Sequence, residues 1–173
     1  FDYQESALRN AIKGLYYFYG KHGGNKREFF EDVYRNILPE SFPINERFVD
    51  LYQEGGFEVY ENRLPYYQII NRMSFWMATG SGKTLVIVKL IELLSNLMKL
   101  GIIPQKDILF LTHRDDLIGQ FKRHVEEFNE GRIPSEKLEL YELKEYSKVK
   151  TSLYNPTGIP VFYYRADLFD TEQ

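Results

Sequence analysis

Apolar positions recur at helical spacing from the start of the chain. Ala7, Leu8, Ala11, Ile12, Leu15, Phe18 and Tyr19 share one face of a helix over 1–19. Residues 20–25, Gly-Lys-His-Gly-Gly-Asn, break it. A second amphipathic pattern follows over 26–38 through Phe30, Val33, Ile37 and Leu38. The stretch 39–65 holds Pro39, Pro43, Gly55, Gly56 and Pro65 with mixed polarity between them. It is expected to be part helix and part loop, within an insertion at 20–65 packed on the domain surface.

Beyond Pro65 the pattern changes. Met73-Ser74-Phe75-Trp76-Met77 is a short apolar run ending in a glycine-rich turn, and it reads as a buried strand. Residues 84–100 form an apolar stretch in which Lys89, Glu92, Asn96 and Lys99 make one polar stripe, so this is a buried helix and not a membrane span. Gly101 stands where a C-terminal cap belongs. Residues 108–111 are a second buried strand. A helix then starts at Asp115 or Asp116, one of them its cap, with Leu117, Phe121, Val125 and Phe128 inward and Gly131 after it. Further strands are expected at 138–143 and 161–164. Strands alternating with helices predict an α/β fold, a mostly parallel sheet with helices on both faces.

Composition narrows this picture. The chain's 173 residues can bury a real core, and 14 Tyr with 13 Phe argue for a packed interior. With no Cys there is neither a disulfide framework nor a thiolate metal site, which fits a cytoplasmic protein. The histidines, His22, His113 and His124, show no metal-ligand spacing. No signal peptide is visible. The net charge of −3 gives no support for wholesale nucleic-acid binding, so any such contact must be local. The chain begins without Met and its last residues show no stop to their element, so it reads as a fragment, one domain part over 1–173.

The chemistry is concentrated at Ala78-Thr79-Gly80-Ser81-Gly82-Lys83-Thr84. Gly80 and Gly82 let the backbone curl so that successive N–H groups point at phosphate oxygens. The turn feeds a helix N-terminus, whose free N–H groups and dipole favour an anion. Lys83 can reach the β- and γ-phosphates as a point charge, and Thr84 can offer its hydroxyl to Mg²⁺. This is a P-loop for a nucleoside triphosphate, ATP with magnesium. Met77 stands where the strict consensus has Gly, as in the relaxed helicase form of the loop.

A P-loop alone does not name a reaction. Hydrolysis needs an acidic residue at the end of a neighbouring strand. The strand at 108–111 is followed by Thr112-His113-Arg114, and that at 161–164 by Arg165-Ala166. Asp115, Asp116 and Asp167 are displaced from those positions. The chain is therefore expected to bind nucleotide and to hydrolyse it poorly or not at all.

Residues 71–90, Asn-Arg-Met-Ser-Phe-Trp-Met-Ala-Thr-Gly-Ser-Gly-Lys-Thr-Leu-Val-Ile-Val-Lys-Leu, resemble the first helicase motif of superfamily-two enzymes. The likeness is greatest to the restriction (Res) subunits of type III restriction–modification systems. Residues 108–121 are similar to that family's next motif, which approaches the nucleic-acid backbone and would place Thr112, His113, Arg114 and Gln120 there. Phe1-Asp2-Tyr3-Gln4-Glu5 resembles the glutamine motif that reads the adenine edge, implying this role for Gln4, with an upstream aromatic stacked on the ring. Gln68 is the rival. Tyr163-Tyr164-Arg165-Ala166-Asp167 resembles a segment preceding the family's DEAH-type box. The resemblance implies a RecA-like three-layer P-loop domain, the first motor domain of an ATP-driven translocase acting on double-stranded DNA. It implies a nuclease elsewhere in the polypeptide and a modification (methyltransferase) subunit as partner. Two other readings stay open: a P-loop phosphotransferase acting on a small molecule, and a nucleotide-gated module without catalysis.

Overall fold

Helix α1 (Asp2–Leu15) follows the apolar stripe and passes into a π-helical turn, Tyr16–Lys21. The computed structural model that shows this describes residues 2–78, 80–151 and 156–168. The chain divides into two compact units, Arg9–Trp76 and Phe1–Leu8 with Met77–Gln173.

In the first unit Asn25 caps α2 (Lys26–Val33), its side chain accepting the N–H groups of Arg27 and Glu28 at 3.1 and 3.2 Å. The helix is shorter than the pattern over 26–38, because Tyr34 and Arg35 both close onto the Phe30 carbonyl, at 2.9 and 3.0 Å. The stretch 39–65 is more ordered than helix and loop. Strand β1 (Ser41–Pro43), helix α3 (Val49–Glu54) and strand β2 (Arg63–Pro65) follow in turn, with β1 and β2 antiparallel. Three-residue strands are too short to show a period of two, which is why the pattern missed them. Arg63 fastens the pair by donating to the Ser41 hydroxyl and carbonyl at 3.0 and 2.7 Å. Ala11, Phe18, Phe29, Phe30 and Leu64 are the buried apolar residues of this unit, with the rings of Phe18 and Phe29 edge-on at 5.2 Å.

In the second unit α4 (Lys83–Lys99) runs from the glycine-rich turn. Gly101, at φ +68°, ends it: its N–H reaches the Met98 carbonyl and that of Ile102 the Leu97 carbonyl, both at 3.0 Å. This is the paired closure that a left-handed glycine permits. Strand β3 (Ile108–Thr112), helix α5 (Asp115–Asn129), strand β4 (Leu138–Glu142), helix α6 (Tyr146–Lys150) and strand β5 (Ile159–Arg165) complete the described chain. The three strands are parallel in the order β3-β5-β4. Val88 and Ile91 of α4 and Phe121 and Val125 of α5 pack on Leu138, Ile159 and Val161 to form the core. On the other face Phe162 is buried beneath Tyr146 of α6, their ring centroids 4.9 Å apart. Helices thus lie on both faces of a parallel sheet, as the alternation predicts.

Three local expectations are corrected. Residues 73–77 form no strand, and Trp76 is 96% exposed. A strand requires a neighbour for its N–H and C=O groups, and among the described residues none pairs with this run. Strand β3 is an edge and is buried on one side only: Ile108 and Phe110 pack against the core while Leu109 and Leu111 are 43% and 46% exposed. The cap of α5 is Arg114, extended and without a side-chain cap bond, so Asp115 and Asp116 lie in the first turn. Their carboxylates also pair with arginines, Asp116 with Arg114 and Asp115 with Arg165.

Candidate nucleotide-binding site

The glycine-rich turn has the backbone that its composition demands. Gly80 and Gly82 stand at φ +77° and +75°, the left-handed region, and Gly82 is the residue from which α4 starts. Lys83 opens the helix and is exposed, while Thr84 behind it is half-buried. Thr79 lies outside the described residues. The Lys83 ammonium donates to the Ala78 carbonyl at 2.8 Å, and the Ser81 hydroxyl donates to the same oxygen at 2.6 Å. The side chain with the charge for phosphate is therefore folded back on the loop.

Gln4 comes to this turn from the start of α1. Its Nε2 donates to the Ser81 carbonyl at 2.8 Å, and the Tyr3 hydroxyl donates to that carbonyl at 3.1 Å. Gln68, the rival, spends its amide elsewhere: its oxygen accepts the Glu58 N–H and its nitrogen donates to the Glu58 carbonyl, both at 2.9 Å. The bond of the Tyr3 hydroxyl has no counterpart in the sequence motif, where an aromatic upstream of Gln4 is expected only to stack on the base. Its signal is the place of Tyr3 one residue before Gln4.

Gly82 is constrained by more than its dihedral angle. A Cβ there would stand 2.5 Å from Gln4 Nε2, whereas at Gly80 it would meet nothing within 4 Å. Both Gly→Ala changes carry the left-handed penalty of roughly 1–2 kcal/mol. Gly82→Ala should lose a further ~0.5–1.5 kcal/mol, the worth of the displaced Gln4 bond. Urea unfolding of the two variants without nucleotide checks this. Equal losses would show that Gln4 is not held at the loop.

The other residues expected to act gather at the carboxyl ends of β3 and β5, where parallel sheets place their ligand sites. Thr112 ends β3 in register with Arg165, which ends β5. His113 and Arg114 follow, both exposed, and Gln120 is half-buried farther along α5. Arg114 Nε donates to Asp116 at 2.9 Å. Arg165 donates to Asp115 at 2.7 Å and through Nε to Asp167 at 3.2 Å. The bond from Arg114 holds the Asp116 carboxyl below its usual range, and that from Arg165 does the same for Asp167. Nothing along the chain shows that Arg165 registers beside Thr112; the pairing of β3 with β5 does. All three acids weighed for hydrolysis are thus bound by arginines.

The turn fits a magnesium nucleotide. Two left-handed glycines lead into a helix N-terminus, with a lysine and a threonine on its first residues. Among the described residues no group of three or more His, Asp or Glu could hold a metal unaided, so a cation here would share its ligands with phosphate. No described helix is long and apolar enough to cross a membrane.

No curated protein and no solved structure matches the chain. A family model does, the one described as type III restriction enzyme, res subunit, over residues 1–155. With a P-loop opening α4 and a parallel sheet behind it, the chain belongs to this family of helicase-like ATP-binding domains.

Proposed function

We propose that this chain binds Mg·ATP as part of a DNA-stimulated ATPase, the translocating motor of a restriction endonuclease. The observation that carries the reading is the glycine-rich turn, whose Gly80 and Gly82 stand at positive φ and lead into the N-terminus of α4, a place that favours an anion. Lys83 leaves the Ala78 carbonyl to bind the β- and γ-phosphates, while Ala78, Thr79, Gly80, Ser81 and Gly82 supply the backbone cradle. Thr84 would give its hydroxyl to magnesium, which would supply charge neutralisation at the phosphates. Lys83 and Thr84 are the residues of this chain that would stand at the reacting phosphate. Gln4 reads the adenine edge.

Hydrolysis by this chain alone is expected to be slight, because Asp115, Asp116 and Asp167 are each engaged by arginine. Thr112, His113, Arg114 and Gln120 form the face toward the DNA backbone. Two guanidiniums there stand against three carboxylates, so phosphates must displace aspartates to be bound. We read residues 1–173 as part of one RecA-like domain with 20–65 inserted in it, and the unit Arg9–Trp76 contains that stretch whole. The intended partners are duplex DNA and a methyltransferase subunit, in the cytoplasm.

ATP hydrolysis by the full-length protein, with and without duplex DNA, tests this. Strong stimulation by DNA is expected. Turnover indifferent to DNA would point instead to a P-loop enzyme acting on a small molecule.

A further inference from the structure

Two carbonyls organise the loop, and each receives more than one donor. Ala78 O accepts from Lys83, from the Ser81 hydroxyl and from the Ser81 N–H, at 2.8, 2.6 and 3.3 Å. Ser81 O accepts from Gln4 Nε2 and from the Tyr3 hydroxyl, at 2.8 and 3.1 Å. A carbonyl oxygen has two lone pairs, and Gln4 and Tyr3 fill those of Ser81 O. Occupation of the site by nucleotide asks one donor of each carbonyl to leave: Lys83 for the phosphates and Gln4 for the adenine edge. The donor left behind decides what that departure costs, since a carbonyl without a partner loses a full hydrogen bond.

We propose that Tyr3 is a positioning residue for base selection, its hydroxyl holding the Ser81 carbonyl while Gln4 is handed over to adenine. This rests on the reading of Gln4 as the adenine reader. The two residues are consecutive on the first turn of α1, so they reach the one carbonyl from a single rigid element. Gly82 keeps the path open, since a Cβ there would stand 2.5 Å from the Gln4 amide. Ser81 plays the matching part at the other carbonyl, with its hydroxyl left on Ala78 O when Lys83 departs. A guanine base, whose edge presents a carbonyl where adenine has an amine, does not recruit the Gln4 amide in the same way. Its binding is therefore insensitive to the phenol.

The test is titration calorimetry of the full 173-residue chain with Mg·ATPγS and Mg·GTPγS. Tyr3→Phe keeps the ring and removes only the hydroxyl. It should weaken ATPγS by about two- to tenfold, the worth of one neutral hydrogen bond, and leave GTPγS unchanged. Gln4→Ala should bring the two nucleotides to similar affinity, and adding Tyr3→Phe to it should not alter their ratio further. Equal weakening of both nucleotides by Tyr3→Phe would make the phenol a structural support of the loop and overturn the hand-over. Unchanged ATPγS affinity in Tyr3→Phe, with the ratio still lost in Gln4→Ala, would overturn it too while leaving adenine reading intact. A ratio indifferent to Gln4→Ala would remove the adenine reading and the hand-over together.

Discussion

Lys83→Ala is expected to abolish measurable binding of Mg·ATP and, in the full-length protein, its hydrolysis. Each charge-assisted hydrogen bond contributes about 1.5–3 kcal/mol, and an ammonium that bridges two phosphates makes more than one. A loss on the order of a hundredfold or more follows at ~1.4 kcal/mol per tenfold. The fold should survive, because Lys83 is exposed and the Ala78 carbonyl to which it donates keeps the Ser81 hydroxyl. Calorimetry on the variant, beside circular dichroism to establish that it is folded, separates the two effects. Unaltered affinity would place the nucleotide elsewhere.

Phe121→Ala should produce the largest loss of stability. Its side chain is fully buried at the meeting of α5 with the sheet and lies stacked on Phe110, ring centroids 4.2 Å apart and planes 17° apart. Removing a buried phenyl costs about 3–5 kcal/mol, a large share of the roughly 5–15 kcal/mol that a domain possesses. Leu111→Ala on the exposed side of β3 supplies the contrast, with an expected change within about 0.5 kcal/mol. Urea unfolding followed by circular dichroism is the suitable measurement. The fluorescence of Trp76 is not, since that side chain is 96% exposed and belongs to the other unit. Similar losses in the two variants would contradict the placement of the core.

The two guanidiniums at the strand ends illustrate how little of this face is written along the chain. Arg114 could be named only through the resemblance of residues 108–121 to a family motif, since by pattern alone it is a polar helix start. Arg165 lies 50 residues beyond its partner Asp115, and only the parallel pairing of β3 with β5 brings them together. The same holds for Gln4, which is 77 residues from the carbonyl that it contacts. Its motif implies a role by resemblance, yet its engagement with the loop, and that of Tyr3, depends on where α1 begins.

The apolar run 73–77 shows the opposite failure. Its composition is that of a buried strand, but a ladder is made between two segments and composition specifies only one of them. Leu109 and Leu111 are a second instance, since they lie on the face of β3 away from the core and their exposure reflects that placement, not their chemistry.

What the sequence determined by itself was therefore local. It set the helical stripes of α1, α4 and α5, the glycine cap at Gly101, and a phosphate loop whose backbone needs left-handed residues at positions 80 and 82. Each depends on residues within a turn or two of one another, where propensity and spacing suffice. Tertiary structure alone decided the strand order β3-β5-β4, the open side of β3, the pairing of Arg165 with Asp115, and the Tyr3 and Gln4 donors on the Ser81 carbonyl. Those choices bring together groups distant along the chain, and the burial of Phe121, Val161 and Phe162 is the term that repays the entropy of doing so.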